Sequence, residues 1–72
     1  MKNLQAKTVT EENAYEVWEA NGWKWFVLKK WQADDNKPYG RWFCKVYSPF
    51  VPDGELGDCY VKDIKSIAIR IK

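Results

Sequence analysis

The pair Asn21-Gly22 constrains this 72-residue chain more than any other feature. It stands between two strand-forming runs, AYEVWEA and WKWFVLKK. An Asn-Gly pair in that setting predicts a type I′ turn, because both central residues then take positive φ and the turn's twist matches that of the strands it joins. A two-residue loop sets the register. Ala20 faces Trp23, Glu19 faces Lys24, Trp18 faces Trp25, Val17 faces Phe26, and Tyr15 faces Leu28. One of these is a salt pair and the others are apolar or aromatic, as suits cross-strand neighbours. A helix over EENAYEVWEA is the competing expectation, with Thr10 as its cap, an acidic first turn and Gly22 as its end. The matched pairs favour the hairpin.

Beyond the hairpin, Trp23 to Gln32 reads as a long second strand, and WQADDNKPYG supplies turn formers. Arg41 to Ser48 is a third strand. The segment PFVPDGELG has two prolines and two glycines and reads as a loop. Asp58 to Lys62 is expected as a short fourth strand and Asp63-Ile64-Lys65 as a tight turn. Ser66 to Ile71 is expected as a last strand with Ile67, Ile69 and Ile71 on one face. Residues 1–13 form an arm, either an edge strand over 4–9 or a disordered segment, and residues 14–72 form the single small domain.

Five short strands on so small a chain predict an all-β fold, a small five-stranded antiparallel barrel or curled sheet. The order and size suit an OB-like or cold-shock-like barrel. An SH3-like barrel is the alternative, because Val61-Lys62-Asp63-Ile64 resembles the short 3₁₀ turn before that fold's last strand. The glycine-aromatic RNA-binding motifs of cold-shock domains are missing from the chain.

A domain of this length buries only roughly 60% of the surface its unfolded chain exposes. Hydrophobic residues make up 46% and include five tryptophans, so the core is rich for the size. There is no apolar run long enough to cross a bilayer and no apolar signal segment in MKNLQAKTVTEEN, so a soluble cytoplasmic protein is expected. Cys44 and Cys59 then read as buried, reduced and inert thiols rather than a disulfide. The chain has no His. That removes the commonest general base, and two thiols alone make a poor zinc set. Asp34-Asp35-Asn36 and Asp53-Gly54-Glu55 with Asp58 match no calcium loop and are explained by turn chemistry. No enzyme activity, cofactor or metal is expected.

The faces of the strands carry the functional expectation. One hairpin face bears Tyr15, Val17, Phe26 and Leu28; the other bears Trp18, Ala20, Trp23, Trp25 and Val27. In a single-layer barrel only one of these is core. The aliphatic-rich set, joined by Trp42, Cys44, Val46, Cys59, Val61 and the three late isoleucines, is the expected core. Trp18, Trp23 and Trp25 are then left near Lys29, Arg41, Phe43, Lys45 and Tyr47, as one aromatic and basic surface. Covering of these rings by the arm or by segment 49–57 is the competing structural expectation.

Interface hot spots are enriched in Trp, Tyr and Arg, so this surface predicts a protein-interaction module, accessory or inhibitory. Single-stranded nucleic acid is the alternative partner, with rings stacking bases and cations following phosphates. Net charge bears on that choice. It is +2 overall, and the excess lies in residues 21–48, where Lys24, Lys29, Lys30, Lys37, Arg41 and Lys45 face only Asp34 and Asp35. That is mild for a nucleic-acid binder. A homodimer through the isoleucine-rich last strand is a third expectation.

Overall fold

The computed structural model describes residues 5–30 and 40–72. The expected turn segment with Asp34, Asp35 and Asn36, and Leu4 of the arm, lie outside the described residues. Five antiparallel strands form one sheet: β1 (Glu16–Ala20), β2 (Trp23–Lys30), β3 (Arg41–Ser48), β4 (Val51–Tyr60) and β5 (Ile69–Arg70), with one helix, α1 (Val61–Ile67), before the last strand. The spatial order is β4-β3-β2-β1-β5. Strands β4 and β5 are the two edges, so the sheet is open and the expected barrel closure does not occur. The first four strands form a simple meander. The Greek-key exchange of an OB-like barrel is absent from this order.

The Asn-Gly turn forms as its chemistry requires. Asn21 has φ 50° and Gly22 φ 88°. The pairs Ala20↔Trp23, Glu19↔Lys24, Trp18↔Trp25 and Val17↔Phe26 all form. Tyr15 departs from the expected core. It lies before β1, donates its backbone N–H to the Val27 carbonyl and is 74% exposed.

Residues 51–57, expected as part of a loop, are strand; β4 continues through 58–60, where a strand was expected. Pro49 is taken up by the β3–β4 turn. Pro52 sits on an edge strand, where a missing N–H is tolerated. Between the pairs Ser48↔Val51 and Val46↔Glu55 the register slips, so β4 carries two extra residues there. Gly54, at φ 75°, completes that bulge. The prolines and glycines thus shape a strand rather than interrupt it.

The tail also differs. Val61, Ile64 and Ala68 follow at helical spacing, and all three pack into the core from α1 and its C-terminal end. The expected fourth-strand end and tight turn are therefore helix. Ile64, 2% exposed, is the buried isoleucine. Ile67, Ile69 and Ile71, expected in the core, are 63%, 75% and 45% exposed.

The core assignment changes for a related reason. Strand β2 pairs with β3 as Trp25↔Val46, Phe26↔Lys45 and Val27↔Cys44. Val17 and Phe26 therefore lie on the face opposite Trp42, Cys44 and Val46, not with them. Both faces are covered. On one, Trp25, Val27, Trp42, Cys44 and Ile64 are buried, with Trp18, Ala20, Val46, Cys59 and Val61 packed around them under α1. On the other, Val17 and Phe26 pack with Val9 and Ala14 of the arm, flanked by Leu28, Tyr47 and Leu56. The arm reaches this face through a 3₁₀ turn (Ala6–Thr8), not an edge strand.

Two lysines tie the arm down. Lys45 Nζ donates to the Val9 carbonyl at 2.8 Å. Lys72 Nζ donates to the carbonyls of Glu11, Glu12 and Ala14 at 2.5, 3.0 and 2.8 Å.

Candidate binding surface

The eight residues expected to share one surface are divided by the register. Trp18, Trp23 and Trp25 stand on the α1 side of the sheet. Phe43, Lys45 and Tyr47, which pair with Lys29, Phe26 and Lys24, stand on the arm side with Arg41. The rings are also less available than the composition implies. Trp25 is 8% exposed and Trp42 4%. Trp18 packs against Trp42 with ring centroids 5.7 Å apart. Trp23 stacks on Trp25 at 6.2 Å and, at 42% exposed, remains open to solvent. The helix, rather than the arm or segment 49–57, covers the tryptophan face.

The cations on the arm side already have partners. Lys45 holds the Val9 carbonyl and lies 5.2 Å from the Phe26 ring centroid. Arg41 reaches Asp58 at 3.4 Å across β3 and β4, and both side chains are well exposed. Such a pair is worth little in stability, but the Asp58 charge offsets that of Arg41 locally.

A polar cluster unforeseen in the sequence lies at the α1 side. Val27 pairs with Cys44 and Lys29 with Phe43, so Leu28 is an extra residue on β2. This bulge resets the alternation and places Lys30, opposite Trp42, on the tryptophan face. There Lys30 pairs with Glu16, and its Nζ stands 5.8 Å from the Trp42 centroid. Glu16 is only 6% exposed and also accepts from Trp18 Nε1 at 3.0 Å. Burial pushes its carboxyl up, but Lys30, Trp18 and the more distant Arg70 outweigh burial and hold it below the usual value. A period-two reading of β2 puts Lys29 in that place; only the bulge reveals Lys30.

The two thiols share the α1 side as well. Cys59 stands opposite Trp42 and Cys44 opposite Gly57, so they are diagonal neighbours. Both are free thiols. Cys44 is fully buried, whereas Cys59 is partly exposed, against the expectation that both are sealed in. The interaction between them, with burial added, pushes the Cys44 thiol far up; the hydrogen bond from Cys44 brings Cys59 down.

The most exposed apolar stretch is Ile67, Ile69 and Ile71, at the end of α1 and along β5. Strand β5 pairs with β1 through Trp18↔Arg70 and Glu19↔Ile69, and Ile71 N–H reaches the Val17 carbonyl at 2.8 Å. Its other side is an open sheet edge. Among the described residues no helix is long and apolar enough to cross a membrane. No protein-family model, curated protein or solved structure matches this chain.

Proposed function

We propose that the protein is a small binding module that engages a protein partner along the β5 edge. One observation carries this reading. Three isoleucines, Ile67, Ile69 and Ile71, stay 63%, 75% and 45% exposed beside a strand whose outer hydrogen-bonding groups face no other strand among the described residues. Soluble proteins rarely leave such a stretch uncovered without a use, and an open edge is a template for an added strand. A partner contributing an extended apolar segment matches both features, by backbone pairing and side-chain burial together.

The finer fold reading that goes with this is an SH3-like order, with a meander, a short helix and a last strand returned to β1. Fold likeness alone names no activity. The single-strand nucleic-acid alternative loses support because the tryptophans lie on the face opposite Arg41 and Lys45, and both of those cations are engaged within the chain.

The test compares affinity capture by the wild-type chain with capture by Ile69→Lys, a change at an exposed site, and by Arg41→Glu. Loss of a partner on Ile69→Lys with retention on Arg41→Glu supports the β5 edge. The opposite pattern, together with a tryptophan fluorescence shift on adding mixed oligonucleotides at low salt, favours nucleic acid instead. A concentration-dependent dimer in sedimentation that Ile69→Lys abolishes makes the partner a second copy of the chain.

A further inference from the structure

We propose that Cys59 is a thiol–disulfide exchange site for small neutral or cationic disulfides, with Cys44 beneath it as the resolving thiol. This is independent of the β5 edge. Three observations point to it. The first is placement: the register puts the two cysteines on one face at diagonal positions of β3 and β4. Diagonal neighbours stand about 7–8 Å apart at Cα, slightly beyond the span of a relaxed disulfide. Gly57, directly opposite Cys44, removes the side chain that would hold the strands apart, and a Cβ there would meet only open space. Strand β4 is also an edge strand, held among the described residues by a neighbouring strand on the β3 side only.

The second observation is unequal access. Cys44 is 0% exposed, and Cys59 is partly open to solvent. An outer thiol meets the reagent, and an inner one completes the reaction. Cys44 beside it holds the Cys59 thiol below its ordinary value, which fits the same division of labour.

The third is the hollow that Cys59 lines. It measures about 250 Å³ between α1 and the sheet. Trp25, Ile64 and Ile67 supply apolar wall, and Asp63 supplies a carboxylate; Asp58 also lines the hollow, but its carboxylate pairs with Arg41 on the other face. Such a site accepts a short aliphatic chain and repels an anion. The substrate class is therefore a small disulfide without negative charge.

The chemistry balances in two displacements. Cys59 thiolate attacks one sulfur of R–S–S–R, forming Cys59–S–S–R. One RS⁻ leaves and takes up the proton that Cys59 lost. Cys44 then gives up its proton and attacks the Cys59 sulfur. The second RS⁻ leaves with that proton, and a Cys44–Cys59 disulfide remains. The dithiol is oxidised by two electrons and the small disulfide is reduced by two.

The experiment treats the folded, reduced protein with cystamine, a dication, or with oxidised glutathione, an anion, and follows intact mass without reductant. The expected product has lost two hydrogens and keeps no adduct. Cystamine reacts faster, by roughly tenfold at low ionic strength, and the ratio shrinks as salt is added. Cys44→Ala is expected to stop at a mixed disulfide on Cys59, and Cys59→Ser to stay unreacted. Asp63→Asn is expected to narrow the difference between the two reagents. A stable mixed disulfide on the wild-type protein overturns the proposal, as does an adduct found first on Cys44. Equal rates with both reagents at low salt overturn the assigned substrate class. Should a variant lose its fold by circular dichroism, the wild-type product mass still decides.

Discussion

Replacing Lys30 by Met tests how the tryptophan face tolerates a buried carboxylate. Glu16 is 6% exposed and is held by Lys30 and Trp18. Its folded pKa lies below the ordinary value of 4.5, although burial acts in the opposite direction and is the largest single influence. A depressed carboxyl pKa adds stability above the unfolded pKa, and that stability is lost as pH falls through the folded value. Lys30→Met removes the ammonium and leaves the burial. The carboxyl then rises toward or past its ordinary value, so the group stabilises the fold less at neutral pH, and the deficit fades as the carboxyl protonates on acidification.

Breaking a fully buried ion pair costs about 3–5 kcal/mol. Here the Glu16 side chain is 8% exposed but that of Lys30 is 54% exposed. Water can replace part of the lost contact, and Trp18 keeps its hydrogen bond. A cost of about 1–3 kcal/mol at pH 7 is expected, shrinking as the pH is lowered to 3. Urea unfolding of wild type and variant at both pH values measures this directly. The same substitution in a Glu16→Gln background is expected to cost little, which closes the double-mutant cycle. Equal destabilisation at both pH values refutes the reasoning. So does an undiminished cost in the Glu16→Gln background, which assigns the effect to the Lys30 contact with the Trp42 ring at 5.8 Å.

Gly54→Ala is expected to destabilise by about 1–2 kcal/mol, because φ is 75° and a Cβ would lie 3.2 Å from the Val46 carbonyl oxygen. A fall in the urea midpoint checks it, and an unchanged midpoint removes the need for Gly in that bulge. Lys45→Met keeps the packing on Phe26 but removes the donor to Val9. Amide exchange over residues 5–14 is expected to quicken several-fold while β2 and β3 exchange at their former rates. Uniform acceleration across the sheet would show that the arm and the sheet unfold together.

Local chemistry made the hairpin legible. Asn21 and Gly22 take positive φ at small cost, and the type I′ twist allows one register, so four of the expected cross-strand pairs follow from two residues. The alternation of β3 was legible for the same reason: Trp42 and Cys44 are both buried, as a period of two requires. In the tail, two patterns competed. Ile67, Ile69 and Ile71 alternate as a strand does, while Val61, Ile64 and Ala68 recur as a helix does. The helical set wins because it lands on the large apolar face left open by Trp25, Val27 and Trp42. That face is assembled from strands distant in the chain.

The candidate site was legible in residue type and not in arrangement. The sequence by itself determined where β1 turns into β2 and which residues share a face along β1 and β3, because both depend on backbone geometry over two to four neighbours. The tertiary structure alone decided which face is covered, by what, and which cation meets which ring. One extra residue at Leu28 turns Lys30 toward Glu16 and Trp42. A helix and an arm, packed on opposite sides, bury both faces of a sheet that alternation alone would treat as having one core. Burial is a property of what packs against a strand, and here the covering elements come from the two ends of the chain.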